Sequence, residues 1–265
     1  MNRRMFLTLL AATPGCYAIR PPIERAFEHL FNFEFPLVYA VTDELLDDPV
    51  AHCVRAAALV FSEFVNLKIW EGDDFFGSGR RSKAKPDAKL RADFYRAIGE
   101  TRRLANEALV GNSRDTTALF CQMMSYGLET DYTAFIERRS LASFELCKKS
   151  QIWADKLLSA DSKFYDAYLT TGLNEYMLGA LPAVVRWAVK VETAKGDKQK
   201  GLDHLEAAAG GGRYFPAFAK LLLAVFYERE KQIVRARAML QDLTKAYPKN
   251  QLFRAQLARL SQKNG

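Results

Sequence analysis

Apolar residues recur every three or four positions along most of the chain, which is the spacing of a helix that buries one face. The pattern is regular at residues 56–67, 90–98 and 233–247. No stretch of similar length alternates apolar and polar residues with a period of two, as a half-buried strand does. The pattern therefore predicts an all-α protein.

Short breaks rich in Asp, Asn, Ser, Gly and Pro separate the helical stretches. Asp, Asn and Ser cap the N–H groups of a helix start, Gly supplies a left-handed turn at a helix end, and Pro prevents continuation. The breaks predict five helix pairs and a final helix, at residues 22–48, 49–110, 113–160, 162–209, 217–248 and 249–262. The second pair contains a loop at residues 71–86, which is long enough for a function although its charges balance as in a solvated loop.

The fifth pair carries the clearest internal motif. We align Pro248 with the terminal Pro of a 34-residue tetratricopeptide repeat. The characteristic small and large apolar positions of the repeat are then occupied by Leu223-Ala224, Tyr227, Ala236 and Leu240. Small residues at Ala224 and Ala236 allow two antiparallel helices to approach closely. Residues 217–248 therefore resemble a tetratricopeptide repeat, which implies a right-handed α-solenoid whose last helix, 249–262, covers the final repeat.

A second set of residues carries a broader resemblance. It comprises Asp166-Ala167-Tyr168, Gly172, Tyr176, Gly179-Ala180-Leu181-Pro182, Gly196-Asp197-Lys198 and Gly201-Leu202. These positions resemble a bacterial exported family of tetratricopeptide proteins with unassigned roles, and more distantly the eukaryotic inclusion-body-clearance group. The resemblance implies a solenoid over residues 19–265 and no catalytic activity. It is broken at Ala160-Asp161-Ser162, where an LDP-type turn is expected.

The first 18 residues have the composition of an export signal. Arg3 and Arg4 precede a short apolar run, and Pro14 and Gly15 follow it. This order resembles a twin-arginine signal and predicts export to a bacterial periplasm or envelope, with cleavage after residue 18. Gly15 before Cys16 also resembles the end of a lipoprotein box, in which acylation of Cys16 would anchor the chain to a membrane. Both interpretations stay open.

Composition and charge exclude several classes of protein. Of the 265 residues, 49% are apolar, which suffices for a large core and argues against disorder. The net charge is +7, from 38 Lys and Arg against 31 Asp and Glu, but basic and acidic residues alternate and no aromatic-basic motif is present. The three histidines are isolated, and no C-x-x-C, Walker loop, nucleophile elbow or dinucleotide fingerprint occurs. We therefore predict no nucleic-acid partner, no metal and no cofactor.

Tyrosines cluster in the third and fourth helix pairs. The first helices of tetratricopeptide pairs line a concave groove, and Tyr suits such a groove because its ring buries area while its hydroxyl forms hydrogen bonds. We therefore predict partner contacts at Tyr126, Tyr168 and Tyr176, with packing between helices as the alternative for each. A further apolar stripe after Leu181-Pro182 includes Trp187 beside Arg186. It indicates either a surface facing a membrane or partner, or a helix packed on the solenoid.

The function expected from these features is that of a non-catalytic, exported, monomeric scaffold or adaptor that binds a protein or peptide in its concave groove. The alternative is a cell-envelope hydrolase. Such an enzyme would use paired carboxylates, for example Glu137 or Glu175, as general acid and base.

Overall fold

The computed structural model describes residues 21–70, 85–181 and 196–262. Within these ranges the chain forms eleven α-helices and one π-helix and contains no strand, which confirms the all-α prediction. The α-helices are α1 (Pro21–Phe31), α2 (Phe35–Thr42), α3 (Pro49–Asn66), α4 (Ala88–Gly111), α5 (Thr116–Asp131), α6 (Ser140–Ala160), α7 (Ala167–Ala180), α8 (Lys198–Gly211), α9 (Pro216–Arg229), α10 (Ile233–Ala246) and α11 (Gln251–Gln262). The π-helix spans Tyr132–Ile136. The predicted export signal with Cys16, most of the 71–86 loop, and Arg186 with Trp187 lie outside the described residues.

Aspartates begin four of these helices, because a carboxylate accepts the N–H groups that have no partner within a first helical turn. Asp48 accepts from the Val50 amide at 3.0 Å in α3, and Asp115 accepts from Ala118 at 2.8 Å in α5. Asp87 and Asp197 cap α4 and α8 in the same way. These caps fix where each helix starts.

Each helix packs mainly against the next one along the chain, and α1 on α3, α3 on α5, and α5 on α7 also touch. Helices α7 and α8 approach each other closely at two glycines. A Cβ on Gly172 would lie 2.9 Å from the Gly201 carbonyl oxygen, and one on Gly201 would lie 2.5 Å from the Tyr176 amide nitrogen. Only glycine therefore permits this separation of the two helices.

Asp166 fixes the turn between α8 and α9 to the start of α7. Its buried carboxylate accepts three consecutive backbone N–H groups, from Arg213 at 2.6 Å, Tyr214 at 2.9 Å and Phe215 at 2.8 Å. Burial raises the pKa of this carboxyl, and the three backbone hydrogen bonds oppose that rise because they favour the charged form. Asp166 therefore holds the three residues that precede α9 against the start of α7.

The two ends of the described chain meet. The Asn250 side chain donates to the Phe31 carbonyl at 2.7 Å, and the Lys249 amide donates to the Asn32 side chain at 3.1 Å. The last helix, α11, is therefore attached to the end of α1 as well as to its neighbour α10.

Aromatic rings connect α1 and α3 to α9 across the interior. Phe27 meets Phe215 edge-on with centroids 5.2 Å apart, Phe31 meets the same ring at 6.1 Å, and Phe61 lies 5.5 Å from Phe218. Such pairs add directional packing to the burial of apolar area. Helices distant in sequence therefore share one hydrophobic core.

None of the described helices is long and apolar enough to cross a bilayer.

Candidate functional site

Helices α3, α5, α6, α7 and α9 enclose a narrow pocket, which we call the Asp131 pocket. Its apolar walls are formed by Phe61, Met124, Leu128, Leu169, Leu173 and Phe218. The volume of the pocket that is open to the centre of a water molecule is about 50 Å³. This is more than one water needs, so the space admits a few waters or one slender side chain.

Most polar groups of the Asp131 pocket already have partners. The Cys147 thiol donates to the Asn174 side-chain oxygen at 3.0 Å, and the Asn174 amide donates to Gln151 at 2.8 Å. The Ser150 hydroxyl donates to the Met123 carbonyl at 3.0 Å. These bonds hold the polar side chains of α6 and α7 in defined positions.

Asp131 differs, because no described residue forms a hydrogen bond or ion pair with its carboxylate. The side chain is partly exposed by area, and it lines the pocket. Burial raises the pKa of this carboxyl to about 7, because a poorly hydrated site disfavours the charged form. Asp131 is thus a carboxyl whose charge changes near neutral pH.

A π-helix, Tyr132–Ile136, follows Asp131 directly. The Glu137 amide donates to the Tyr132 carbonyl five residues earlier at 3.0 Å, which widens the turn at the end of α5. The Tyr132 ring is buried and stacks on Phe94 with centroids 4.4 Å apart. Such wide turns occur often at functional sites, since they displace one residue from the regular helical register.

Two buried polar atoms beside this turn have no hydrogen-bond partner among the described residues, the Tyr132 hydroxyl and one oxygen of Glu63. The other Glu63 oxygen accepts the Asp87 amide at 2.8 Å. Unpaired buried polar groups are rare and costly in folded proteins. Two buried polar groups with an unpartnered atom, Glu63 and Tyr132, therefore lie near each other just after the end of α5.

The chemistry available in the pocket is limited. Burial, followed by the nearby charge of Asp131, raises the pKa of the Cys147 thiol to about 11, so the reactive thiolate is scarce at neutral pH. Across the described ranges, no group of three or more His, Cys, Asp or Glu side chains is placed to hold a metal ion. The pocket consequently offers one titrating acid, fixed hydrogen-bonding groups and apolar walls.

The three tyrosines predicted to contact a partner do not line the Asp131 pocket. The Tyr126 ring lies 3.7 Å from the Arg102 guanidinium and 5.6 Å from the Lys149 ammonium. Tyr168 contacts His204 edge-on at 5.1 Å and donates to the Ser162 carbonyl at 3.3 Å. Tyr126 and Tyr168 therefore both have contacts within the chain, and partner contacts at these two residues stay a prediction.

Tyr176 requires a correction. It is 1% exposed, its ring stacks on Phe226 with centroids 3.8 Å apart, and its hydroxyl donates to Glu230 at 3.0 Å. Its helical position explains this, because it lies four residues after Gly172 on the face of α7 that packs against α8. Tyr176 packs between helices and presents no surface to a partner.

The two carboxylates proposed for a hydrolase lie in ion pairs. Glu137 accepts from Arg91 at 2.8 Å, and Glu175 accepts from Lys200 at 2.5 Å. Burial favours a raised pKa at Glu175, but the hydrogen bonds from Lys200 and the Asp197 amide outweigh it, and the pKa falls below its ordinary value. Neither carboxylate lines the Asp131 pocket.

Asp131 was not among the residues predicted from the sequence, although the pattern around it contains a signal. Met124, Gly127, Leu128 and Asp131 follow one another at the three- to four-residue spacing of one helix face. An acid that ends an apolar face is unusual, because burying a charge without a partner is costly.

Comparison with protein-family models, with curated proteins and with solved structures found no significant match to this chain.

Proposed function

We propose that this protein is a non-catalytic adaptor that binds a protein or peptide partner, and that the Asp131 pocket is the centre of its binding surface. The observation that carries this proposal is the unpartnered carboxylate of Asp131 among apolar walls. Most ligand sites combine apolar walls with a few placed polar groups, one of which commonly has a displaced pKa.

We further propose that the helices form a tetratricopeptide-like solenoid of five antiparallel pairs followed by α11. Contacts between α1 and α3, α3 and α5, and α5 and α7 support this arrangement, because the first helices of stacked pairs meet in this way. Three of these helices, α3, α5 and α7, together with α9, carry most of the Asp131 pocket's wall.

The attachment of α11 to α1 favours a small binding contact over a long one. In a solenoid whose two ends are joined by the Asn250–Phe31 hydrogen bond, the concave surface has less room for a long partner helix than in a solenoid with free ends. The size of the Asp131 pocket also matches one side chain. We therefore propose that a partner inserts a single anchor residue, with its remaining contacts on the pocket rim.

The proposed location is the periplasm or envelope of a bacterium, on the basis of the twin-arginine-like residues 1–18. Intact-mass analysis of the mature protein tests this. Loss of residues 1–18 supports soluble export, a lipid-modified Cys16 supports anchoring, and an unprocessed chain contradicts both.

Site-specific photocrosslinking in the native cell tests partner binding. A diazirine amino acid at Leu173, in the pocket wall, is compared with the same group at Val234, which is 79% exposed on α10. We expect a defined protein to be captured from position 173 and not from position 234. Capture of the same proteins from both positions, or of none from position 173, would contradict the proposal.

A further inference from the structure

The proposed adaptor function leaves open which residue of the partner enters the Asp131 pocket. We propose that the anchor is a lysine, with its ammonium group bound by the Asp131 carboxylate and its four-carbon stem lying against the apolar walls. This inference rests on the proposed function, because it identifies the chemistry of the partner at the same site.

The charge of the pocket lining favours a cationic anchor. Asp131 is the only acidic residue lining the pocket, and no Lys, Arg or His lines it among the described residues. The one other titrating group there is the Cys147 thiol, from α6, while α3, α7 and α9 contribute none to the lining. A cation that enters therefore meets an unpaired opposite charge and no competing positive charge.

The apolar walls of the pocket favour a side chain with an apolar stem. A lysine combines a slender apolar stem with a compact charged head, so its stem can lie along apolar surface while its head reaches a polar group. Phe61, Leu128 and Leu173 line the space that such a stem would occupy.

Hydrogen-bonding capacity favours an ammonium over a guanidinium. An ammonium donates three hydrogen bonds, whereas a guanidinium has five donors in a fixed plane. The Asp131 carboxylate has no partner, and the Asn174 oxygen, which already accepts from Cys147, retains a second lone pair. The hydroxyl oxygen of Thr170, also in the pocket lining, is a third possible acceptor. The pocket lining thus contains three side chains whose oxygens can accept from an ammonium group.

Anchor side chains other than lysine would leave the Asp131 carboxylate without a favourable partner. An apolar side chain would displace water from Asp131 without replacing its hydrogen bonds, and an acidic one would be repelled. Occupation by lysine instead supplies the partner that the folded chain lacks.

Binding of a lysine should release protons from Asp131, because the cation binds the ionised form of the carboxylate. With a pKa near 7 in the empty pocket, apparent affinity should fall about tenfold from pH 8 to pH 6.

NMR titration of the full mature chain tests the inference with defined probes. The probe is Nα-acetyl-lysine N-methylamide, and the matched neutral probe is its norleucine analogue, which has the stem without the ammonium. We expect saturable shifts at Asp131, Cys147 and Asn174 with the lysine probe and binding at least about tenfold weaker with the norleucine probe. n-Butylammonium serves as a free-amine arm, and its binding should be no tighter than that of the lysine probe.

Two variants test whether the lysine probe binds at Asp131. Asp131→Asn removes the charge with little change in shape and should weaken the lysine probe at least about tenfold, whereas Asp155→Asn, on the exposed side of α6, should leave it unchanged. Equal binding of the lysine and norleucine probes, unchanged binding by Asp131→Asn, or shifts outside the pocket would overturn the inference, as would tighter binding of n-butylammonium. If these results occur while crosslinking from position 173 still captures a partner, the adaptor function stands and only the lysine anchor is wrong.

Discussion

The side chain of Asn250 joins the two ends of the described chain, since its amide donates to the Phe31 carbonyl at 2.7 Å across 219 residues of sequence. Its side-chain oxygen also accepts the Leu252 amide at 2.9 Å, which caps the start of α11. One buried residue therefore both begins the last helix and attaches it to the first.

Replacement of Asn250 by Ala should lower the free energy of unfolding by about 2 kcal/mol, because it removes a helix cap and leaves the buried Phe31 carbonyl without a donor. Urea unfolding followed by circular dichroism measures the change. The control is Asn112→Ala, since Asn112 is exposed and its side chain accepts from the nearby Arg114 amide and is bonded to no distant segment among the described residues. Equal losses in the two variants would contradict a special role for the connection between the chain ends.

The glycine contact between α7 and α8 predicts opposite effects of the same substitution at two sites. Gly201→Ala should destabilise the protein by about 3 kcal/mol or more, because the new methyl group would lie 2.5 Å from the Tyr176 backbone nitrogen. Gly99→Ala should instead stabilise by up to about 1 kcal/mol, because a Cβ there has no neighbour within 4 Å and alanine favours the helix. Thermal unfolding of both variants checks the prediction, and a tolerated Gly201→Ala would show that the helices are farther apart.

The turn after α9 contains Lys231 at a φ of 60°, where a side chain is strained. Lys231→Gly should stabilise the protein by about 0.5–1 kcal/mol, since glycine adopts this conformation without steric cost. Lys245→Gly, at an exposed position near the end of α10, should destabilise by up to about 1 kcal/mol. If both substitutions destabilise equally in chemical unfolding, the left-handed turn at Lys231 is absent.

Asp131 should make stability depend on pH. The carboxyl pKa is about 7 in the folded chain against 3.8 for the unperturbed group, so between these values the folded chain binds more protons than the unfolded one. Stability therefore falls as pH rises from about 4 to 7. Asp131→Asn, which is neutral throughout, should exceed the wild type by about 2 kcal/mol at pH 8 and match it near pH 3, after a reduction for the partial exposure of the side chain. A difference that does not change with pH in urea unfolding would contradict this.

The helical class could be predicted from sequence because its causes are local. The three- to four-residue apolar spacing and caps such as Asp48 and Asp115 act within one or two turns. Gly172 and Gly201 also stood out in the sequence, but their close approach became visible only in the structure, because it depends on two helices separated by a further segment.

The binding surface was harder to predict because helical spacing does not say which neighbour a face meets. Tyr176 looked suited to a groove, yet its position one turn after Gly172 places it against α8 and α9. The contact between Asn32 and Lys249 links polar residues with no distinguishing pattern. Asp131 ends the apolar face of α5, and the helical spacing alone does not show that its carboxylate lies without a partner in a pocket lined by five helices.

The account depends most on a carboxylate that lies unpaired in the Asp131 pocket, and its titration tests this directly. Carboxyl ¹³C NMR of the wild-type chain, with the Asp131 signal assigned by its loss in Asp131→Asn, gives the midpoint. We predict a midpoint near pH 7, from the burial that raises the pKa to about 7. A midpoint near pH 4 would show a hydrated or paired carboxylate and would contradict the account.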